Sequence, residues 1–161
     1  ARRLHGGGQE RGRRAGTENL PGIAGFGAAT RAALEDLPAL AGQSVWRDAL
    51  ARAVSAIGAV ILGEHAPRLP QTLCFALPGF ASDLQVMAMD LAGVMISAGA
   101  ACSSGKVKPS GVIEAMGRRD LAPFGVRVSG GWASTGADWA RCGQVWLEAA
   151  QRGAVRRREF A

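Results

Sequence analysis

Cys102 lies in the run Ser97-Ala98-Gly99-Ala100-Ala101-Cys102-Ser103-Ser104-Gly105-Lys106, where no neighbour is bulky enough to pack over its sulfur. Structural cysteines usually sit among large apolar groups. This composition instead predicts a mobile, exposed loop with an accessible thiol. Lys106 and Lys108 follow closely and favour the thiolate, the form that attacks or accepts sulfur. The run also reads as a Gly/Ser loop with an incidental cysteine, because a motif needs structural context to acquire meaning. Arg127 is a second candidate. Across Phe124–Ser129, Phe124, Val126 and Val128 alternate with Arg127 and Ser129, the period of a strand with one apolar face. That pattern turns the Arg127 guanidinium away from the core, where it can hold a carboxylate through two parallel hydrogen bonds. A surface arginine on an edge strand gives the same pattern. A third candidate is the Gly- and Arg-rich stretch His5 to Asn19. Its glycines permit close backbone approach to a ligand, and Arg11, Arg13 and Arg14, with Arg2 and Arg3 before them, suit an anion such as phosphate.

These residues must be positioned by elements that the periodicity outlines. Pro21 opens a helix rich in Ala and Gly that Pro38 is expected to stop. A second helix starts near Ser44 with Trp46, Leu50, Ala53 and Ile57 on one stripe. Ala59–Leu62 reads as a short strand, and Gln71–Leu77 as another with Leu73, Phe75 and Leu77 on one face. Ser82 and Gln85 form a capping-box pattern before a helix with Leu84, Met87, Ala88 and Leu91 as its core stripe. Gly93 ends that helix, and Val94–Ile96 is a strand leading into the Cys102 run. Pro109 restarts a short helix with Val112, Ile113 and Met116, closed by Gly117. Thr135 and Asp138 cap a last helix whose core stripe is Trp139, Cys142, Trp146 and Ala149. Short strands alternating with helices predict an α/β fold, in the form of a small α+β domain, preceded by a loop.

Composition narrows the classes. The chain has 161 residues, 48% of them hydrophobic and 20% charged, which is globular and large enough for one core. No apolar run is long enough to cross a bilayer. The first residues, Ala1-Arg2-Arg3-Leu4, carry no signal pattern and read as if cut from a longer protein. The net charge is +6, and of the 19 basic residues only Lys106 and Lys108 are lysines. The basic residues are not interleaved with aromatics and no helix-turn-helix or zinc pattern occurs, which argues against nucleic acid. Arg156, Arg157 and Arg158 read as a solvated tail. Cys74, Cys102 and Cys142 are an odd set without C-x-x-C spacing, which fits a reducing, cytoplasmic compartment and no disulfide frame. Cys74 and Cys142 fall in a strand and a helix pattern and read as core thiols. His5 and His65 lie far from the cysteines in sequence, so no metal site is expected.

Three stretches together resemble the C-terminal part of a cysteine desulfurase, a pyridoxal-phosphate enzyme of the class V aminotransferase group. His5-Gly6-Gly7-Gly8-Gln9-Glu10-Arg11-Gly12-Arg13-Arg14-Ala15-Gly16-Thr17-Glu18-Asn19 resembles the family's G-G-G-x-E-x-G-x-R-x-G-T run. Ser97–Gly105 resembles its S-x-G-x-A-C-S/T-S loop, and Val126-Arg127-Val128-Ser129 its R-x-S strand. Leu69-Pro70-Gln71-Thr72-Leu73 is similar to L-P-N-T-L, with Gln71 in the Asn place. The motifs occur in the family's order along essentially the whole chain.

The resemblance implies the C-terminal small domain of a fold-type I enzyme over residues 21–161, with residues 1–20 a remnant loop of the large cofactor-binding domain. It implies a reaction in which L-cysteine gives up its sulfur to form an enzyme persulfide and alanine, with pyridoxal phosphate as electron sink. Cys102 matches the nucleophile and Arg127 the residue that holds the substrate carboxylate. Thr17 matches a threonine that reaches the cofactor phosphate of the neighbouring subunit in a homodimer. The expected partners are L-cysteine and a sulfur-acceptor or scaffold protein for iron–sulfur cluster or sulfur-cofactor assembly. One departure matters. The family's cofactor lysine lies upstream of the G-G-G run, and Lys106 and Lys108 match no such position. The chain therefore reads as a truncated portion, inactive alone, and the alternative is a non-enzymatic persulfide carrier or dimerisation domain.

Overall fold

The computed structural model describes residues 4–99 and 109–159, with side chains described as far as Gly153. The chain divides into two compact units, Ala1–Leu37 and Pro38–Ala161. In the first, a one-turn 3-10 helix at Glu10–Gly12 follows the glycine run, and Leu4 forms an isolated bridge with Arg14. Helix α1 (Leu20–Gly42) contains the division between the units. Pro38 does not stop α1, contrary to expectation. Proline removes one backbone donor, but Ala39-Leu40-Ala41 behind it are strong helix formers and carry the helix on.

The second unit is built on a four-stranded antiparallel sheet. Its strands are β1 (Val60–Ile61), β2 (Thr72–Ala76), β3 (Ser97–Ala98) and β4 (Gly125–Ser129), in the order β1-β2-β4-β3. β3 begins at Ser97, just beyond the Val94–Ile96 stretch expected to form it. β4 therefore lies inside the sheet, paired with β2 from Thr72↔Ser129 to Ala76↔Gly125 and with β3 at Ser97↔Arg127 and Ala98↔Val126. One face carries Leu73, Phe75, Ala98, Val126 and Val128, all buried, against α2 (Ser44–Ser55), α3 (Ser82–Leu91) and α5 (Gly136–Glu159). The stripe Trp139, Cys142, Trp146 and Ala149 of α5 packs into this core as its period requires. Phe75 meets Trp146 edge-on, with ring centroids 4.9 Å apart. A smaller cluster of Leu62, Ala76, Ile113, Leu121 and Ala122 joins α4 (Gly111–Ala115) to the other face.

Three local expectations change. Ser82 and Gln85 form no capping box: Ala81 is the N-cap of α3 and no side chain caps it. Gln85 is fully buried instead and bonds to distant groups, the Phe124 carbonyl and the Trp146 indole. Leu84, Met87 and Leu91 are exposed, while Ser82, Gln85 and Met89 face inward. Both sides of α3 carry apolar residues, so its period alone does not select the buried one. The Arg156–Arg158 run belongs to α5 rather than to a separate tail. No helix among the described residues is long and apolar enough to cross a membrane.

Candidate functional site

Successive side chains of a strand point to opposite sides, so the apolar packing of Val126 and Val128 leaves Arg127 on the other side of the sheet. Arg127 is exposed there, but it is not on an edge: Cys74 of β2 and Ser97 of β3 are its partners on either side. These three side chains share one face. They line a cavity of about 460 Å³ with Ser110, Gly99 and the apolar residues Leu62, Val112, Ile113 and Met116. Among the described residues Arg127 makes no ion pair and no side-chain hydrogen bond. An unpaired guanidinium beside an apolar wall can receive a carboxylate in forked geometry while the wall takes a small side chain.

β4 is closely packed at one end and hydrogen-bonded at the other. A Cβ at Gly125 would overlap Ile113, which is itself buried. At the other end the Gly130 N–H donates to the Gln71 carbonyl at 2.9 Å, and the Thr72 hydroxyl bonds to that of Ser129 at 3.4 Å. Ser110 caps α4 by accepting from the Ile113 N–H, which fixes that helix at the cavity rim.

Cys74 is a core thiol only in part. It is half-buried, packs against the smaller apolar cluster and lies beside Arg127 in the cavity. Burial pushes its thiol pKa up, and the Arg127 charge pulls it partly back. Leu73 and Phe75 flank it and both face the core, so strict alternation already places Cys74 on the opposite face. Cys142 is a core thiol, and burial pushes its pKa up to about 11.

The other sequence candidates are not brought into this cavity. Cys102, Lys106 and Lys108 lie outside the described residues. The last described residue before them, Gly99, lines the cavity. Thr17 belongs to the first unit and is exposed. Arg14 holds that segment, donating from Nη1 to the carbonyls of Gly16 and Thr17 at 3.1 and 2.6 Å. Glu10 and Arg11 both have positive φ, 52° and 56°, a left-handed conformation that non-glycine residues rarely adopt. The described residues include no lysine. They therefore offer a hydroxyl and guanidinium groups to a phosphate but no side-chain amine to a cofactor aldehyde.

Comparison with known proteins identifies the family and the fold. The sequence model of the Aminotransferase class-V family matches residues 4–140. A cysteine desulfurase of Cereibacter sphaeroides is 45% identical over 116 residues, which cover 70% of this chain and 29% of that protein. The cysteine desulfurase IscS of Clostridium botulinum is 36% identical over 141 residues, covering 84% of this chain and 36% of the relative. The chain thus spans about a third of the length of these relatives. A solved structure described as a NifS-like protein superposes with a TM-score of 0.79 at 28% identity, covering 93% of this chain and 38% of that one. The NifS-like protein of Rickettsia africae shares the fold, with a TM-score of 0.80 at 24% identity. With a family match that takes in both the glycine–arginine run and the Arg127 strand, the chain belongs to the aminotransferase class-V family.

Proposed function

We propose that this chain is the C-terminal portion of a cysteine desulfurase, which moves the sulfur of L-cysteine onto Cys102 and releases alanine. Residues 21–161 act as the small domain, and residues 1–20 as a strip of the large cofactor-binding domain. Arg127 holds the substrate carboxylate. Cys102 receives the sulfur as a persulfide and passes it to an acceptor or scaffold protein for iron–sulfur cluster or sulfur-cofactor assembly. Thr17 serves the phosphate of pyridoxal phosphate in the partner subunit of a homodimer, in the cytoplasm. The observation that carries this reading is Arg127, unpaired among the described residues, on an interior strand and facing a cavity whose lining runs to Gly99 near the start of the Cys102 run. The names of the relatives support it.

The cofactor does not fit the described residues by themselves. Thr17, Arg11 and Arg13 suit its phosphate, but no described amine suits its aldehyde. Groups that hold the ring come from the rest of the enzyme. This chain's own contribution is a carboxylate anchor, a thiol and a phosphate contact. The missing lysine also favours a second reading, a persulfide carrier or dimerisation domain without turnover. An open reading frame that continues upstream into a cofactor-lysine segment decides for the enzyme.

The test uses that longer enzyme. Cys102→Ser is expected to abolish persulfide formation while cofactor absorbance persists. Arg127→Ala is expected to weaken cysteine binding by about 1.5–3 kcal/mol, seen as a higher KM, because one charge-assisted contact is lost. Arg127→Lys should recover only part of this, since an ammonium cannot make the forked contact. An unchanged KM in Arg127→Ala would retire the assignment.

A further inference from the structure

The strand that carries Arg127 is held at both ends by the same device. Before β4, the Phe124 carbonyl accepts from Gln85 Nε2 at 2.9 Å, and Gln85 Oε1 accepts the indole N–H of Trp146 at 2.8 Å. Beyond β4, the Gly131 carbonyl accepts from Gln43 Nε2 at 2.8 Å, and Gln43 Oε1 accepts the indole N–H of Trp139 at 3.1 Å. Both tryptophans lie on the buried stripe of α5. Two glutamines from separate parts of the chain thus link one helix to the two flanks of one strand.

The chemistry gives each relay a direction. An indole nitrogen can only donate, so it fixes the amide oxygen on its side and turns the amide nitrogen to the strand carbonyl. Gln85 is 0% exposed and Gln43 3%, so neither amide has water as an alternative partner. Gln85 Nε2 also donates to the Phe80 carbonyl at 2.7 Å, which uses its remaining N–H. Packing closes the other relay: a Cβ on Gly130 would overlap Gln43 Oε1 and lie 3.0 Å from Trp139 Nε1. An apolar side chain at either site would fill the volume but leave the indole N–H and the strand-flanking carbonyl without a partner. A fully bonded amide supplies direction as well as volume, and directed bonds specify one arrangement.

We infer that the Trp146–Gln85–Phe124 and Trp139–Gln43–Gly131 relays are positioning devices that fix the placement of β4, and with it the reach of the Arg127 guanidinium into the cavity. The two glutamines, Phe124 and Gly131 are not among the cavity-lining residues, so the relays act through the strand. Forked recognition of a carboxylate tolerates little displacement of the guanidinium, which gives a two-ended anchor its use. The inference rests on the reading of Arg127 as the carboxylate anchor.

The test has two arms. In the 161-residue chain, amide hydrogen exchange is followed by NMR in Gln85→Met and Gln43→Met, which keep side-chain length but lose the amide. Gln85→Met should speed exchange about tenfold at the Gly125 end of β4 and leave the Ser129 end and α2 unchanged, and Gln43→Met should do the reverse. Uniform acceleration over β2, β4 and α5 would mean general loss of stability and overturn the inference. Should either variant fail to fold, Gln85→Leu with Trp146→Phe removes both polar partners together. The Phe124 end should still exchange faster in that protein, and protection equal to the parent's overturns the inference. In the longer enzyme, each methionine variant should raise KM for cysteine about three- to tenfold with kcat within about twofold, the pattern of lost uniform binding. If Arg127→Ala raises KM and the methionine variants do not, the inference fails and the Arg127 reading stands. If Arg127→Ala leaves KM unchanged, both fall.

Discussion

Cys74 and Cys142 are both disfavoured as thiolates by burial, but only Cys74 has a cation beside it to offset the effect. The difference gives two measurable consequences. The Cys142 pKa rises from 9.0 to about 11, so the folded state keeps a proton that the unfolded state releases. The associated stability is present below the unfolded value and is lost as pH rises through the folded one. Urea midpoints of the chain should therefore fall between about pH 9 and 11 by an amount worth about 2–3 kcal/mol, and Cys142→Ala should flatten that fall. A midpoint that falls equally in both proteins would contradict the assignment. Alkylation at neutral pH should follow the thiolate fraction and access: Cys102 first, then Cys74, then Cys142. Labelling of Cys74 ahead of Cys102 in mass spectra would count against Cys102 as the nucleophile. At this scale the sequence was readable wherever alternation was taken literally. The alternation that puts Arg127 on one face of the sheet puts Cys74 on the same face, against the smaller apolar cluster rather than the main core.

Elements were readable where one periodic face carried the burial. The α5 stripe, β2 and β4 follow the 3.6- and 2-residue periods closely, and the cap of α5 is also as expected. Asp138 Oδ2 accepts from the Thr135 N–H and hydroxyl at 2.8 Å each, and Thr135 Oγ1 accepts from the Asp138 N–H at 3.3 Å. Thr135→Ala should therefore cost about 1 kcal/mol in a urea titration, and Thr135→Ser only a few tenths. The buried face of α3 departs from its apolar period for a physical reason. Its buried face is organised around Gln85, and a glutamine becomes a core residue only when distant partners such as Trp146 and Phe124 complete its bonds. Sequence period cannot show those partners. The closeness of Gly130 to Gln43 and Trp139 belongs to the same hidden layer. Gly130→Ala should cost about 1–3 kcal/mol, because the Gln43 amide held by two bonds cannot swing aside cheaply. A neutral Gly130→Ala would show that this contact yields.

On the scale of the whole chain, the cavity is assembled from stretches far apart in sequence. β2, β3 and β4 must pair in the order β2-β4-β3 before Cys74, Arg127 and Ser97 become neighbours. Composition announced each stretch but not the pairing, which long-range contacts decide. In α1 the apolar residues Leu20, Ile23, Phe26, Leu34 and Leu37 are all exposed, which its small-residue composition did not announce. The lysines bear on the chemistry of the chain as a whole. Lys106 and Lys108 are the only lysines, and both closely follow the proposed nucleophile. A thiol loop that meets substrate and then delivers sulfur must move, whereas an amine that anchors a cofactor ring must stay fixed. One short segment cannot serve both ends. Thr17 and the neighbouring arginines can attract phosphate, but they do not orient a ring. The 161-residue chain mixed with pyridoxal phosphate should therefore give no saturable, borohydride-trapped adduct at a single lysine, and no alanine from L-cysteine. Peptide mapping after reduction and amino-acid analysis of the mixture check both. Stoichiometric alanine from the chain alone would overturn the reading of it as a portion that needs the rest of the enzyme.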